Sequence, residues 1–414
     1  MNEKKVPSDH RDIGKRLGLF TLSKPVGKGL PLLDVGAAPI RRELETFIFE
    51  EEFKRGYVQV NTPALARRSL FETSGHWEFY SDHMFPPMDV YGDELTLRPV
   101  TCPHHFMLYA SRPRSYRELP VRYSEISTLY RKENSGNLYG LVRILEFHLA
   151  DGHVICREDQ LKEEFSAAIS LIQHVMSILG LSDEVSYQLS LHDDSGKFVD
   201  DPEGWRFAEI LMAEIMEQSN LFYRSVAGEA AFYGPKVDVQ ILNSQGREET
   251  IFTNQIDIAM QKRFSLTYID KNGTGRMPYI IHRSAVGCLE RTIAFLLEKS
   301  GGALPLWLAP EQVRVLPVAG SSVEYARGIR IVLRSSLIRS SVDEGDSAIG
   351  QRIHRAKKAQ VPYIVVVGDR EREAEAVSVL NRDSGKQMLY PLGEFLDAVE
   401  TERSLRSTSL RCSV

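Results

Sequence analysis

Residues 303–312, ALPLWLAPEQ, carry two prolines and neither a helical nor a strand period, and they divide the chain into two patterns. Beyond a boundary near residue 309, strands and helices alternate regularly: VRVLPVA, a helix through YARGIRIVLRSSL, SSVDE, a helix AIGQRIHRAKKAQ, YIVVVGD and a final helix near 391–404. Continuous YIVVVG fits a strand buried on both faces, so this part reads as a small α/β domain of about 100 residues. Before the boundary the alternation fails. Residues 36–63 predict one long helix feeding a strand, with Ile40, Leu44, Phe47, Ile48 and Phe53 mainly on one face and Gly56 at its end. Strands follow around LTLRPV, SEISTLYRKE, LVRILEFHLADGHVIC, AFYGPKVDVQIL, EETIFTNQIDIA and FSLTYID, with a helix RSAVGCLERTIAFLLEKSGG stopped by its glycine pair. That order predicts an α+β unit with a mainly antiparallel sheet and helices packed around it.

With 414 residues, 43% of them hydrophobic, the chain is long enough for two or three domains with sizeable cores. A net charge of −5 excludes a uniformly basic nucleic-acid binder but leaves room for a local basic face. Four scattered cysteines make no disulfide framework and suit a reducing cytosol. The start is polar, without the apolar core of a secretory signal, and no run approaches the roughly 18 apolar residues of a membrane span. The expectation is a soluble cytoplasmic protein with an N-terminal extension over 1–30 and a flexible Ser/Arg-rich tail over 404–414.

Two stretches carry chemistry. RPVTCPHHF (98–106) sets Cys102 ahead of two histidines, and the Cys-Pro bond predicts an extended Cys102 at a strand end. By itself this does not decide for or against a metal. LYRKENSGNLYGLVRILEF (129–147) places Arg131 and Glu133 on a strand, then a Gly-containing loop, then Arg143 and Phe147. Guanidinium forks match phosphate oxygens, a phenyl face stacks on a base, and a carboxylate accepts an exocyclic amine. On spacing alone, a hairpin with solvated charges is the simpler reading.

The second stretch resembles motif 2 of class II aminoacyl-tRNA synthetases in its threonyl form, R-x-E-x-S-G-x-L-x-G-L-x-R. The long helix ending at Pro63 resembles motif 1, a dimer-interface element, and GCLER (287–291) resembles motif 3. Further similarity lies in SGHW (74–77), AFYGPKVDV (231–239), PYIIHRSAVGCLER (278–291), PLWLAP (305–310) and VPYIVVVGDRE (361–371). So many matches in order are far more specific than any one motif.

The resemblance implies ATP-dependent activation of L-threonine to threonyl-adenylate and its transfer to tRNA(Thr), by a homodimer. It implies a Zn²⁺ held by Cys102, His153 and His282, with an open position for the amine and hydroxyl of threonine that valine could not fill. His105 is then a neighbour of the ligands. Arg131 should hold the α-phosphate and the substrate carboxylate, and Arg143 and Arg291 the β- and γ-phosphates, helped by Mg²⁺. Phe147 should stack on adenine, with Glu133 at its amino group and Gln255 lining the nucleotide site. Asp151 should take the threonine hydroxyl, with Tyr233 near the amine and Lys236 near the phosphate. His76 matches a histidine that moves a proton at the terminal ribose of tRNA, so Arg131, Arg291, His76 and Lys236 form the implied catalytic set. The domain over 310–403 resembles an anticodon-binding domain, with Glu371 at a base-reading position and Arg352, Arg355, Lys357 and Lys358 as a basic helix face. The catalytic domain would span 1–309.

Some positions depart from the family pattern. Leu149 replaces a glutamine, Leu145 and Glu146 replace Arg-Gly, His104 replaces glycine, and Leu380 stands in place of an anticodon-reading arginine. The ubiquitin-like and editing regions of longer members have no counterpart here, which implies a ligase without editing in cis. The alternative is a paralogue that activates threonine or a related amino acid for another acceptor, or for a resistance or regulatory role.

Overall fold

An eight-stranded sheet organises the larger part of the chain. The computed structural model describes residues 9–219 and 221–412. In chain order the strands are β1 (Val58–Gln59), β2 (Val121–Tyr130), β3 (Glu146–Cys156), β4 (Val185–Leu191), β5 (Tyr223–Ala227), β6 (Lys236–Leu242), β7 (Glu248–Asp257) and β8 (Tyr279–Ser284). They lie in the order β5-β4-β6-β7-β8-β3-β2-β1. The inner pairs are antiparallel, and the outermost pair at each edge is parallel. This is the mainly antiparallel α+β plan that the failed alternation predicts.

One face of the sheet is closed by helices. The helices of this half include α1 (His10–Leu17), α2 (Ala37–Lys54), α3 (Cys102–Ala110), α4 (Glu158–Leu179) and α5 (Leu289–Ser300), and all of these but α3 lie on that face. Leu161, Phe165 and Ile169 of α4 bury against Val154, Val237 and Ile281, while α2 and α5 share a core with Val239 and Phe252. The apolar residues of β6 alternate, so Val237, Val239 and Ile241 face these helices and Lys236 faces the other way. The opposite face carries α3 and the loops, and the polar residues gather there.

The smaller sheet is built from β9 (Val313–Pro317), β10 (Ser340–Val342), β11 (Tyr363–Val367), β12 (Ala376–Asn381) and β13 (Gln387–Pro391), in the order β10-β9-β11-β12-β13. The first three are parallel, and the last two are antiparallel additions that the alternation did not predict. Helices α6 (Val323–Ser335) and α8 (Leu392–Ser404) cover one face, and α7 (Ile349–Lys358) covers the other.

Several expectations are corrected. Cys102 does not end a strand: it starts α3, where Pro103 sits in the first turn and its missing N–H costs nothing. Arg131 and Glu133 fall just past the end of β2, and FSLTYID contributes only a two-residue strand, Tyr268–Ile269. Residues 405–412 are not a frayed tail. Leu410 and Cys412 are buried in the smaller domain's core, and the Cys412 carbonyl accepts from Asn381 Nδ2 at 2.7 Å.

Candidate active site

A single row of residues across five strands builds the floor of the site. Register pairs Lys236 with Gln255, Gln255 with His282, His282 with His153, and His153 with Tyr123. Residues opposite one another in a sheet present side chains to the same face, so residues far apart in sequence become neighbours. Along β3 the period of two adds Phe147, Leu149 and Asp151 to that face. Helix α3 lies over it and turns Cys102 toward the two histidines.

The ligand atoms of Cys102, His153 and His282 lie within 4.8 Å of one another, and all three residues are buried. His282 Nε2 is 2.7 Å from Asp257 Oδ2, and the other oxygen of Asp257 accepts the Ala259 and Met260 amides at 2.8 Å. The carboxylate therefore accepts a hydrogen bond from the Nε2–H of His282, which leaves Nδ1 as a lone pair. That lone pair faces His153 Nε2 at 2.9 Å. Two imidazole nitrogens and a sulfur converging in a buried space suit a tetrahedral metal with one position left for another ligand. Burial, with Asp151 and Asp257 nearby, pushes the Cys102 thiol well up, and burial pushes His153 well down. A cation between them would reverse the first shift and exploit the second, because the thiolate and the neutral imidazole are the ligating forms.

The cavity beside this cluster has a volume of about 300 Å³. Asp151 lines it, its carboxyl raised by burial, as does Tyr233, whose hydroxyl donates to Gln255 Oε1 at 2.6 Å. Lys236 lines it with its Nζ 2.7 Å from Asp238. Arg131, Arg143 and Arg291 line the same cavity. The Arg131 guanidinium lies 5.1 Å over the Phe147 ring and 5.6 Å over that of Tyr80. Arg143 is 3.6 Å from Glu133, and Arg291 is held by the carbonyls of Val142 and Thr250 at 3.1 and 2.8 Å. The cavity thus joins a ligand cluster, a carboxyl and a phenol to three guanidiniums and an aromatic face.

Two predicted residues lie apart from its lining. His76 is buried behind Tyr233, with ring centres 6.3 Å apart, and its Nδ1 is 2.8 Å from Ser74 Oγ. Burial, with His282, Arg131 and Arg263 nearby, pushes it down to about 3, so its ring is neutral at pH 7. Glu371 lies in the other domain, where it accepts the Gly368 amide at 2.8 Å and caps a short helix. Arg352 is not part of a solvated basic face: it is buried and donates to the Pro317 carbonyl at 2.7 Å, which leaves Arg355, Lys357 and Lys358 exposed. His104 packs toward Phe71, and His148 turns to Glu290 at 2.7 Å; neither belongs to the group formed by Cys102, His153 and His282. Sequence reasoning missed Asp257 and Glu125 as partners of the histidines, although His105 stands three residues after Cys102, on the same side of a helix.

Residues 86–300 match the model of the tRNA synthetase class II core domain (G, H, P, S and T), and residues 312–402 match an anticodon binding domain. A solved RNA-binding domain of threonyl-tRNA synthetase from Cryptosporidium parvum is similar over 98% of this chain and all of its own, with 31% identity and a TM-score of 0.90. The chain belongs to the threonyl-tRNA synthetase family. A putative threonyl-tRNA synthetase from Aeropyrum pernix is 26% identical with a TM-score of 0.82, covering 98% of both chains. The threonine–tRNA ligase of Clostridium perfringens is 44% identical over 95% of this chain. The chain spans 62% of the length of that curated relative. Among the described residues, no helix is long and apolar enough to cross a membrane.

Proposed function

We propose that this family member activates L-threonine with ATP and transfers the threonyl group to tRNA(Thr), in the cytoplasm and as a homodimer. The observation that carries this reading is one sulfur and two imidazole nitrogens converging in a cavity that three arginines also line. Zn²⁺ held by Cys102, His153 and His282 would supply a Lewis-acid position that selects a substrate with neighbouring amine and hydroxyl groups. Asp151 accepts the substrate hydroxyl, and Tyr233 flanks the amine. Arg131 leaves Phe147 to bridge the substrate carboxylate and the α-phosphate, while adenine takes the uncovered ring face and Glu133 meets its amino group. Gln255 and Lys236 complete the nucleotide site. Arg143 and Arg291 hold the β- and γ-phosphates, whose charge Mg²⁺ would help to neutralise.

A carboxylate oxygen of threonine attacks the α-phosphorus, pyrophosphate leaves, and the tRNA hydroxyl then attacks the acyl carbon and expels AMP. Little covalent help is needed, so positioning and charge carry the rate. By the family match, His76 would take part in moving the ribose proton. The catalytic unit extends to about residue 309, and the anticodon is read by 310–403 with Glu371. Support for the dimer comes from Phe49 and Phe53 on α2, 40% and 70% exposed, beside the sheet edge at Val58, which is 61% exposed.

ATP–pyrophosphate exchange tests the activation step. Threonine should support exchange, valine should not, and Cys102→Ser should lose both zinc and exchange. Exchange with valine equal to that with threonine, or none with either, would end this reading. Charging of a tRNA(Thr) transcript tests the acceptor.

A further inference from the structure

Behind the proposed zinc ligands runs a second layer of hydrogen bonds that the ligand set leaves unexplained. His105 Nδ1 lies 2.7 Å from His153 Nδ1, and its Nε2 lies 3.2 Å from Glu125 Oε2. The same Glu125 oxygen accepts from Thr62 Oγ1 at 2.7 Å, and its other oxygen accepts from Arg98 Nη2 at 2.9 Å. Arg98 also donates to Thr62 Oγ1 at 2.6 Å and to the Thr128 carbonyl at 2.9 Å. All four of these side chains are buried. Burial raises Glu125, but His105, Thr62 and Arg98 outweigh it and hold the carboxyl down to about 2.

Proton bookkeeping along this line has one neutral solution. An ionised Glu125 carries no proton, so the hydrogen of its contact with His105 belongs to His105 Nε2. A neutral His105 then offers Nδ1 as a lone pair, and the hydrogen of the next contact must belong to His153 Nδ1. His153 is thereby left with a lone pair on Nε2, the atom that faces His282 and the cluster. Asp257 fixes the complementary form of His282 directly, so each histidine ligand is backed by a carboxylate, one at first remove and one through an intervening ring.

We infer that His105 is a positioning residue that selects the Nδ1–H form of His153 and aims its Nε2 at the metal position. This rests on the zinc reading above and adds to it a residue that touches neither metal nor substrate. It also explains Cys102-Pro-His-His: on one helix, positions 102 and 105 share the side facing β3, while His104 turns toward Phe71.

The test is zinc affinity of the full chain, measured by competition with a chromogenic chelator. His105→Leu removes both hydrogen bonds and should weaken zinc about 10- to 100-fold. His105→Gln keeps an acceptor for His153 and a donor for Glu125, and should recover most of the loss. His104→Gly should leave affinity at the parent level. Equal affinity in parent and His105→Leu overturns the role of His105, as does a His105→Gln as weak as the leucine variant. A parent that binds no zinc overturns the metal reading itself. If His105→Leu does not fold, histidine nitrogen NMR on the zinc-loaded parent decides: His105 should be protonated at Nε2 and His153 at Nδ1, and any other pair of tautomers overturns the inference.

Discussion

Gly152 and Arg283 are opposite one another in the register of β3 and β8, on the face turned away from the cavity. Arg283 is fully buried, 2.6 Å from Glu52 of α2 and 4.1 Å over the Tyr57 ring. A Cβ at Gly152 would stand 2.5 Å from its guanidinium carbon. That group is pinned on both sides and cannot swing away. Gly152→Ala should cost about 1–3 kcal/mol through overpacking and tilt the strand that carries His153 and Asp151. Thermal denaturation should show the loss, and zinc affinity should fall with it. His76 gives a residue-scale pH effect. Its folded value is about 3 against an ordinary 6.5. Below pH 6.5 the unfolded chain takes up a proton that the folded ring refuses, so stability falls until about pH 3. Each pH unit in that window removes about 1.4 kcal/mol. His76→Asn should flatten this acid slope, read as urea midpoints between pH 7 and 4.

Among the elements, α1 has a task that its sequence conceals. It packs on α5, and its first residues grip the loop between β2 and β3. Tyr139 donates to Asp9 at 2.7 Å, and the Leu141 amide donates to His10 Nε2 at 3.1 Å. On its other side His10 Nδ1 meets Glu298 of α5 at 2.7 Å. A Cβ on Gly140 would lie 2.0 Å from His10 Nε2, and Gly140 has φ +49°, so the close approach requires glycine. The gripped loop delivers Arg143. His10→Ala should therefore raise KM for ATP several-fold in the exchange reaction while zinc content stays at parent level; an unchanged KM would mean that the loop holds itself. Helices α2 and α5 were legible because an apolar stripe and a terminal glycine fix a helix locally. The site's floor was not, because the register between β3 and β8 brings His153 within reach of a residue 129 positions away. Only the resemblance supplied that pairing.

At the scale of the whole molecule, α2 is a strut between the two sheets. Glu52 reaches Arg283 beside the cluster, Glu43 pairs with Arg339, and Glu50 meets Arg406 at 2.5 Å, with Arg406 lying 5.0 Å over the Phe47 ring. Contacts to both domains therefore share one rigid helix. The smaller domain tests how far sequence matching carries function. By the family resemblance Leu380 takes the position of a base-reading arginine, which suggests that Leu380→Arg would restore a lost contact. In the structure Leu380 is 6% exposed and packs with Leu316, Ala356, Val361 and Ile364 beneath α7. A guanidinium there either enters an apolar core without a partner or forces α7 away. We expect Leu380→Arg to destabilise this domain by about 2–4 kcal/mol and to leave charging at limiting tRNA no better than in the parent. Threonine-dependent exchange, which the proposed function assigns to the other sheet, should be unaffected. Improved charging with unchanged stability would show that the apolar cover over β12 opens to RNA.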